Sequence, residues 1–94
     1  MNKKEIYQKA IDSYGFDSQL NQLTEECGEL ITACNKLRRQ GHKAVPLMVD
    51  EISDVMIMCE QIIYAMGFEN QVELRTEFKL KRLEDRINNK TNQL

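Results

Sequence analysis

An all-α fold, a four-helix antiparallel bundle, is what three features of the sequence predict. Apolar residues recur with a 3.6-residue period in four successive segments, with no strand-type alternation. Only one proline is present, and Gly15, Gly41 and Gly67 fall between the segments. The gaps are short, which favours antiparallel neighbours within a single domain spanning residues 1–94.

The first segment, about Asn2 to Tyr14, puts Ile6, Tyr7, Ala10, Ile11 and Tyr14 on one stripe and stops at Gly15. The second opens at Asp17 or Ser18, either a suitable cap, and runs to about Arg39. Leu20, Leu23, Cys27, Leu30, Ile31, Cys34 and Leu37 recur along it, while Lys36, Arg38 and Arg39 suit the negative end of its dipole. The third runs from Pro46, a first-turn proline, to Met66. The fourth begins near Asn70 and continues to about Asn88, setting Val72, Leu74, Phe78, Leu80, Leu83 and Ile87 among many charges.

The third segment is apolar nearly all round: between Ile52 and Met66 only Ser53, Asp54, Glu60 and Gln61 are strongly polar. Such a helix has to be buried on most sides. A chain of 94 residues has too few partner helices to surround it, so the expectation is a homodimer or homotetramer whose interface covers this helix.

Hydrophobic residues make up 41% of the chain and charged ones 30%, a globular balance. Thirteen basic side chains against fifteen acidic give a net charge of −2, which excludes a whole-protein positive field for duplex nucleic acid. No apolar run reaches the roughly 18 residues of a membrane span, so no membrane partner is expected. Cys27, Cys34 and Cys59 form no CxxC pair and sit within apolar helical patterns. With no secretory pattern at the start of the sequence, they read as buried thiols of a reducing, cytoplasmic compartment.

The chemistry lies in carboxylates placed inside these helices. Glu25, Glu26 and Glu29 occur within TEECGEL, and Asp50, Glu51 and Asp54 within VDEISDV. Residues three apart share a helix face, so Glu26–Glu29 and Glu51–Asp54 form two acidic pairs beside core positions. Neither pair is neutralised locally, because the positions four residues further on are Leu30, Ala33, Val55 and Met58. A hard cation would relieve the repulsion, and Mg²⁺ takes all-oxygen ligands, often together with substrate phosphates. The absence of histidine from the group disfavours zinc and the Glu-x-x-His pairs of di-iron bundles. Geometry sets one condition. In a symmetric hairpin centred near Lys43 the two pairs would stand at heights differing by roughly 9 Å. The chain between the helices has to climb back, or the second helix has to stop early, or the two have to cross at an angle.

EExxE as Glu25-Glu26-Cys27-Gly28-Glu29, then ExxD as Glu51-Ile52-Ser53-Asp54 after 21 residues, resembles the MazG-like all-α nucleoside triphosphate pyrophosphohydrolases. The likeness extends upstream through YGFDSQLNQLTEECGEL and downstream to FKLKRLEDRI, covering most of the chain. A departure falls at Glu77, close to a position often occupied by Asn in the family. The resemblance implies hydrolysis of a nucleoside triphosphate between the α- and β-phosphates, to monophosphate and pyrophosphate. It implies Glu26, Glu29, Glu51 and Asp54 as ligands of Mg²⁺, with Mn²⁺ a possible substitute. Glu25, the spare carboxylate, would orient or deprotonate the attacking water. Lys79, Arg82 and Arg86 share a helix face and would grip the phosphate chain. For the base, Tyr7, Tyr14, Phe16 and Phe68 offer stacking faces, and Gln19 or Asn21 a hydrogen bond. The competing reading is non-catalytic: a helical oligomer serving as a protein-interaction module or a nucleotide sensor.

Overall fold

The computed structural model describes residues 1–92, with side chains described through Lys90. The chain forms α1 (Lys3–Tyr14), α2 (Phe16–Gln40), a 3-10 turn (Gly41–Ala44), α3 (Val45–Met66) and α4 (Glu69–Asn92). None of the described helices is long and apolar enough to cross a membrane.

Asn2 caps α1, its side-chain oxygen accepting from the Glu5 amide at 2.9 Å. One residue then turns the chain. Gly15 adopts φ 87° and ψ 152°, a backbone region essentially reserved for glycine, and its N–H closes α1 on the Ile11 carbonyl. This lets α2 start at Phe16, ahead of the Asp17 or Ser18 cap expected from sequence, with Asp17 now in the first turn where a carboxylate suits the dipole.

The main packing is α2 against α3, with α1 laid across both. The core is small: among the described residues Tyr7, Ala33, Ala44, Met58 and Ile62 are the buried hydrophobics, joined by Gln19 and Gln61. The two glutamines satisfy each other, Gln61 Nε2 donating to Gln19 Oε1 at 2.5 Å. This pair fixes the antiparallel register. Setting Gln19 opposite Gln61 also sets Glu26 opposite Asp54 and Glu29 opposite Glu51. The height difference of a symmetric hairpin is thus removed, and the 3-10 turn accounts for it. Four residues at about 2.0 Å each supply roughly 8 Å, and Ala44 is buried where the turn meets the helices.

Two sequence expectations need correcting. The chain does not close a four-helix bundle: α1, α2 and α3 pack together, whereas among the described residues α4 contacts only α3 and its described side chains, Glu69 to Lys90, are all exposed. Gly67, at φ 69°, ends α3 in the left-handed conformation and sends α4 away from the other helices. The cysteines are not a buried set either. Cys27 and Cys59 are exposed and Cys34 is half-buried, and the Cys59 thiol is pushed up by burial and then by Cys27, which lies close to it across the α2–α3 pair. Their burial follows as an expectation from their places within apolar helical patterns, which fix a face but not what covers it.

Candidate metal centre

Glu26 on α2 and Glu51 and Asp54 on α3 come together across the helix pair. One carboxylate oxygen from each lies within 4.8 Å of the others. Glu26 and Glu51 are half-buried and Asp54 is exposed, so the group opens to solvent on the Asp54 side. Gln22, one turn before Glu26, donates Nε2 to Glu26 Oε1 at 2.8 Å and holds that carboxylate in place. The other oxygens face inward: Glu26 Oε2 and Glu51 Oε2 are both buried and have no hydrogen-bond partner.

That combination is costly for the bare protein. Two carboxylates within 4.8 Å repel by on the order of 3 kcal/mol at an effective dielectric of 20, before any loss of hydration. Unpaired buried acceptors add to the cost. An oxygen-seeking divalent cation removes both penalties, since it supplies the missing partner and neutralises the charge. The donor set is all carboxylate, which suits Mg²⁺ or Mn²⁺ better than metals that seek nitrogen or sulfur.

Of the four ligands the motif resemblance implies, three assemble and one does not. Glu29 is level with Glu51 by register, yet it is exposed and its carboxylate stays outside the group. Glu25 is exposed on α2. Lys79, Arg82 and Arg86 are exposed along α4, and among the described residues α4 contacts only α3 and no hydrogen bond or ion pair ties these three to the acidic group. Lys79 instead borders a shallow groove of about 350 Å³ on α4, beside Phe68, Val72 and Arg75. The Arg75 guanidinium stacks 4.8 Å over the Phe78 ring.

Two candidates for base recognition are spent elsewhere. Gln19 is consumed by Gln61 in the core. Tyr7 is buried and donates its hydroxyl to Glu60 Oε2 at 2.5 Å, where Lys3 Nζ also reaches at 3.3 Å. Glu60 is held below the usual carboxylate range, first by the Tyr7 hydroxyl and then by Lys3. Burial, followed by the bond to Glu60, pushes Tyr7 up to about 12. The role of Gln22 went unnoticed in the sequence although its signal was present, a glutamine four residues before a glutamate on one helix face.

Compared with protein families, curated proteins and solved structures, the chain matches none of them.

Proposed function

We propose that the protein is a Mg²⁺-dependent nucleoside triphosphate pyrophosphohydrolase of the MazG-like type, with Glu26, Glu51 and Asp54 as the metal-holding core. The observation that carries this reading is the pair of buried, unpartnered oxygens, Glu26 Oε2 and Glu51 Oε2, from two different helices, with Asp54 completing a three-carboxylate group. The EExxE and ExxD motifs supply those same residues.

When bound, Mg²⁺ polarises phosphoryl oxygens and offsets the charge that develops during attack. The chain's own groups do the rest. Gln22 orients Glu26. Glu29, level with Glu51 at the solvent-facing side, is the fourth ligand in this reading, its side chain turning inward by rotation about its own bonds. Glu25 holds the attacking water and takes its proton. Lys79, Arg82 and Arg86, three and four residues apart on α4, bind the phosphate chain as point charges and forks.

Incubation with each common NTP and dNTP, with and without Mg²⁺, followed by product separation, tests the reading. Monophosphate plus pyrophosphate, formed only with metal, is the expected result. Release of orthophosphate instead, or no turnover with any member of the panel, would overturn it. Glu26→Gln and Asp54→Asn should each lower turnover about a hundredfold or more, the scale on which losing one electrostatic stabiliser is felt. Their helical circular dichroism should match that of the parent.

A further inference from the structure

The two oxygens of the Glu26 carboxylate are not equivalent. Oε1 accepts from Gln22 Nε2 at 2.8 Å, whereas Oε2 is buried and has no partner. Gln22 and Glu26 are both half-buried, so water competes for this bond less than on a fully solvated helix face. Among the described residues, Gln22 is the one side chain that hydrogen-bonds any of the three clustered carboxylates. Gln19, the next amide back along α2, is closed on Gln61 and cannot take over the role.

The number of oxygens a carboxylate gives is what separates the hard cations. Mg²⁺ demands near-ideal octahedral geometry at about 2.0–2.1 Å and keeps water or phosphate oxygens beside its carboxylates. Ca²⁺ is larger, takes about six to eight oxygens at about 2.3–2.6 Å, and is well served by a carboxylate that gives both. A glutamate with one oxygen engaged by an amide suits the first ion and withholds an oxygen from the second. Outer partners of this kind orient a ligand, and losing one typically costs about 10–100-fold in metal affinity.

We infer that Gln22 is a metal-selecting residue: by holding Glu26 Oε1 it makes Glu26 a one-oxygen ligand and sets the preference of the centre for Mg²⁺ over Ca²⁺. The assignment rests on the reading of Glu26, Glu51 and Asp54 as a metal centre. Gln22 acts on the cation only through Glu26, so it is a positioning residue.

The test is binding, with no turnover involved. Mg²⁺ and Ca²⁺ are titrated separately into the parent and into Gln22→Met, which keeps the side-chain length but has no donor. Gln22→Ala, in the best helix former, serves as a second donor-free variant. Parent-like circular dichroism is confirmed first, and calorimetry and the rise in Tm then report each affinity. The parent should bind Mg²⁺ more tightly than Ca²⁺. In the donor-free variants the ratio of the two affinities should move toward Ca²⁺ by about tenfold or more. Gln22→Arg keeps an N–H donor one turn before Glu26 and should restore the ratio, since its added charge weakens two divalent ions alike. An unchanged ratio in the donor-free variants, or no restoration by Gln22→Arg, would overturn the inference and leave the metal centre standing. So would a parent that binds the two ions equally. A parent that binds neither ion would overturn the metal centre itself, and the role of Gln22 with it.

Discussion

At the scale of single residues, the carboxylates of α2 and α3 set function against stability. Glu51 brings a buried, unpartnered oxygen to within 4.8 Å of Glu26 and Asp54. Glu51→Gln removes one of three like charges and supplies a donor that can pair with Glu26. In EDTA the variant should be more stable than the parent by about 1 kcal/mol, roughly 4–8 °C in Tm for a domain of this size. The stabilisation that Mg²⁺ gives the parent should vanish in it, which paired melts with and without metal would reveal. The Tyr7–Glu60 bond makes a second residue-scale prediction, on pH. Glu60 is charged more readily in the fold than outside it, so its contribution is complete above its ordinary 4.5 and fades as pH falls through the lowered value. Tyr7 is kept neutral in the fold, so its share is complete below 10.0 and is lost as pH rises toward about 12. Tyr7→Phe should flatten the pH–stability curve at both ends, and unchanged limbs in urea titrations would argue against the bond. Spacing gave two acidic pairs, Glu26–Glu29 and Glu51–Asp54, because residues three apart share a helix face; that Glu26 meets Glu51 and Asp54 across the helices was decided by the packing. The absence of Glu29 from the trio was not legible either, since spacing fixes a face but not the direction in which a long side chain points.

Among the elements, the α2–α3 pair decides the geometry, and a polar contact in a small core decides its register. Gln19 and Gln61 are 8% and 4% exposed and bond only to each other among the described side chains. Replacing one leaves the other buried without a partner, which costs about 1–3 kcal/mol, whereas replacing both removes the unsatisfied group. Gln61→Leu should therefore destabilise by about that amount, and Gln19→Leu in the same chain should recover most of the loss. Denaturant midpoints of the two singles and the double would measure the coupling, and additive losses would show that the pair does not act as one. Helix positions were legible from periodicity and from the glycines, to within one or two residues at most ends. The α4 helix runs on to Asn92, past the expected Asn88, because nothing in that stretch breaks a helix. The 3-10 turn was less accessible. Its four residues GHKA carry no strong turn signal, yet their path sets Glu26 level with Asp54.

For the molecule as a whole, dimensions say more than any single contact. The radius of gyration is 17.1 Å, against about 12 Å for a compact chain of 94 residues. A core built on Tyr7, Ala33, Ala44, Met58 and Ile62 is slight support for so extended a shape, and among the described residues no large side chain is fully buried. Folding and association should then be linked. A hundredfold dilution should lower the Tm by several degrees, because mass action favours the dissociated and less stable chain. A Tm independent of concentration would mean that the single copy is sufficient.

The sequence by itself determined the helical class, the places where the chain turns, and the two acidic pairs on the helix faces. Each of these depends on residues close together along the chain: a 3.6-residue period, a glycine in a strained backbone region, acids one turn apart. The tertiary structure alone decided that α4 leaves the other three helices, that Cys27 and Cys59 stay exposed, and that Gln19 belongs to the core. Those outcomes depend on which faces meet across helices, and an apolar stripe carries the same pattern whether its partner is in its own chain or in another. That is why the third helix could be read as a surface needing cover, while only the packed chain showed that Met58, Gln61 and Ile62 are the positions buried on it.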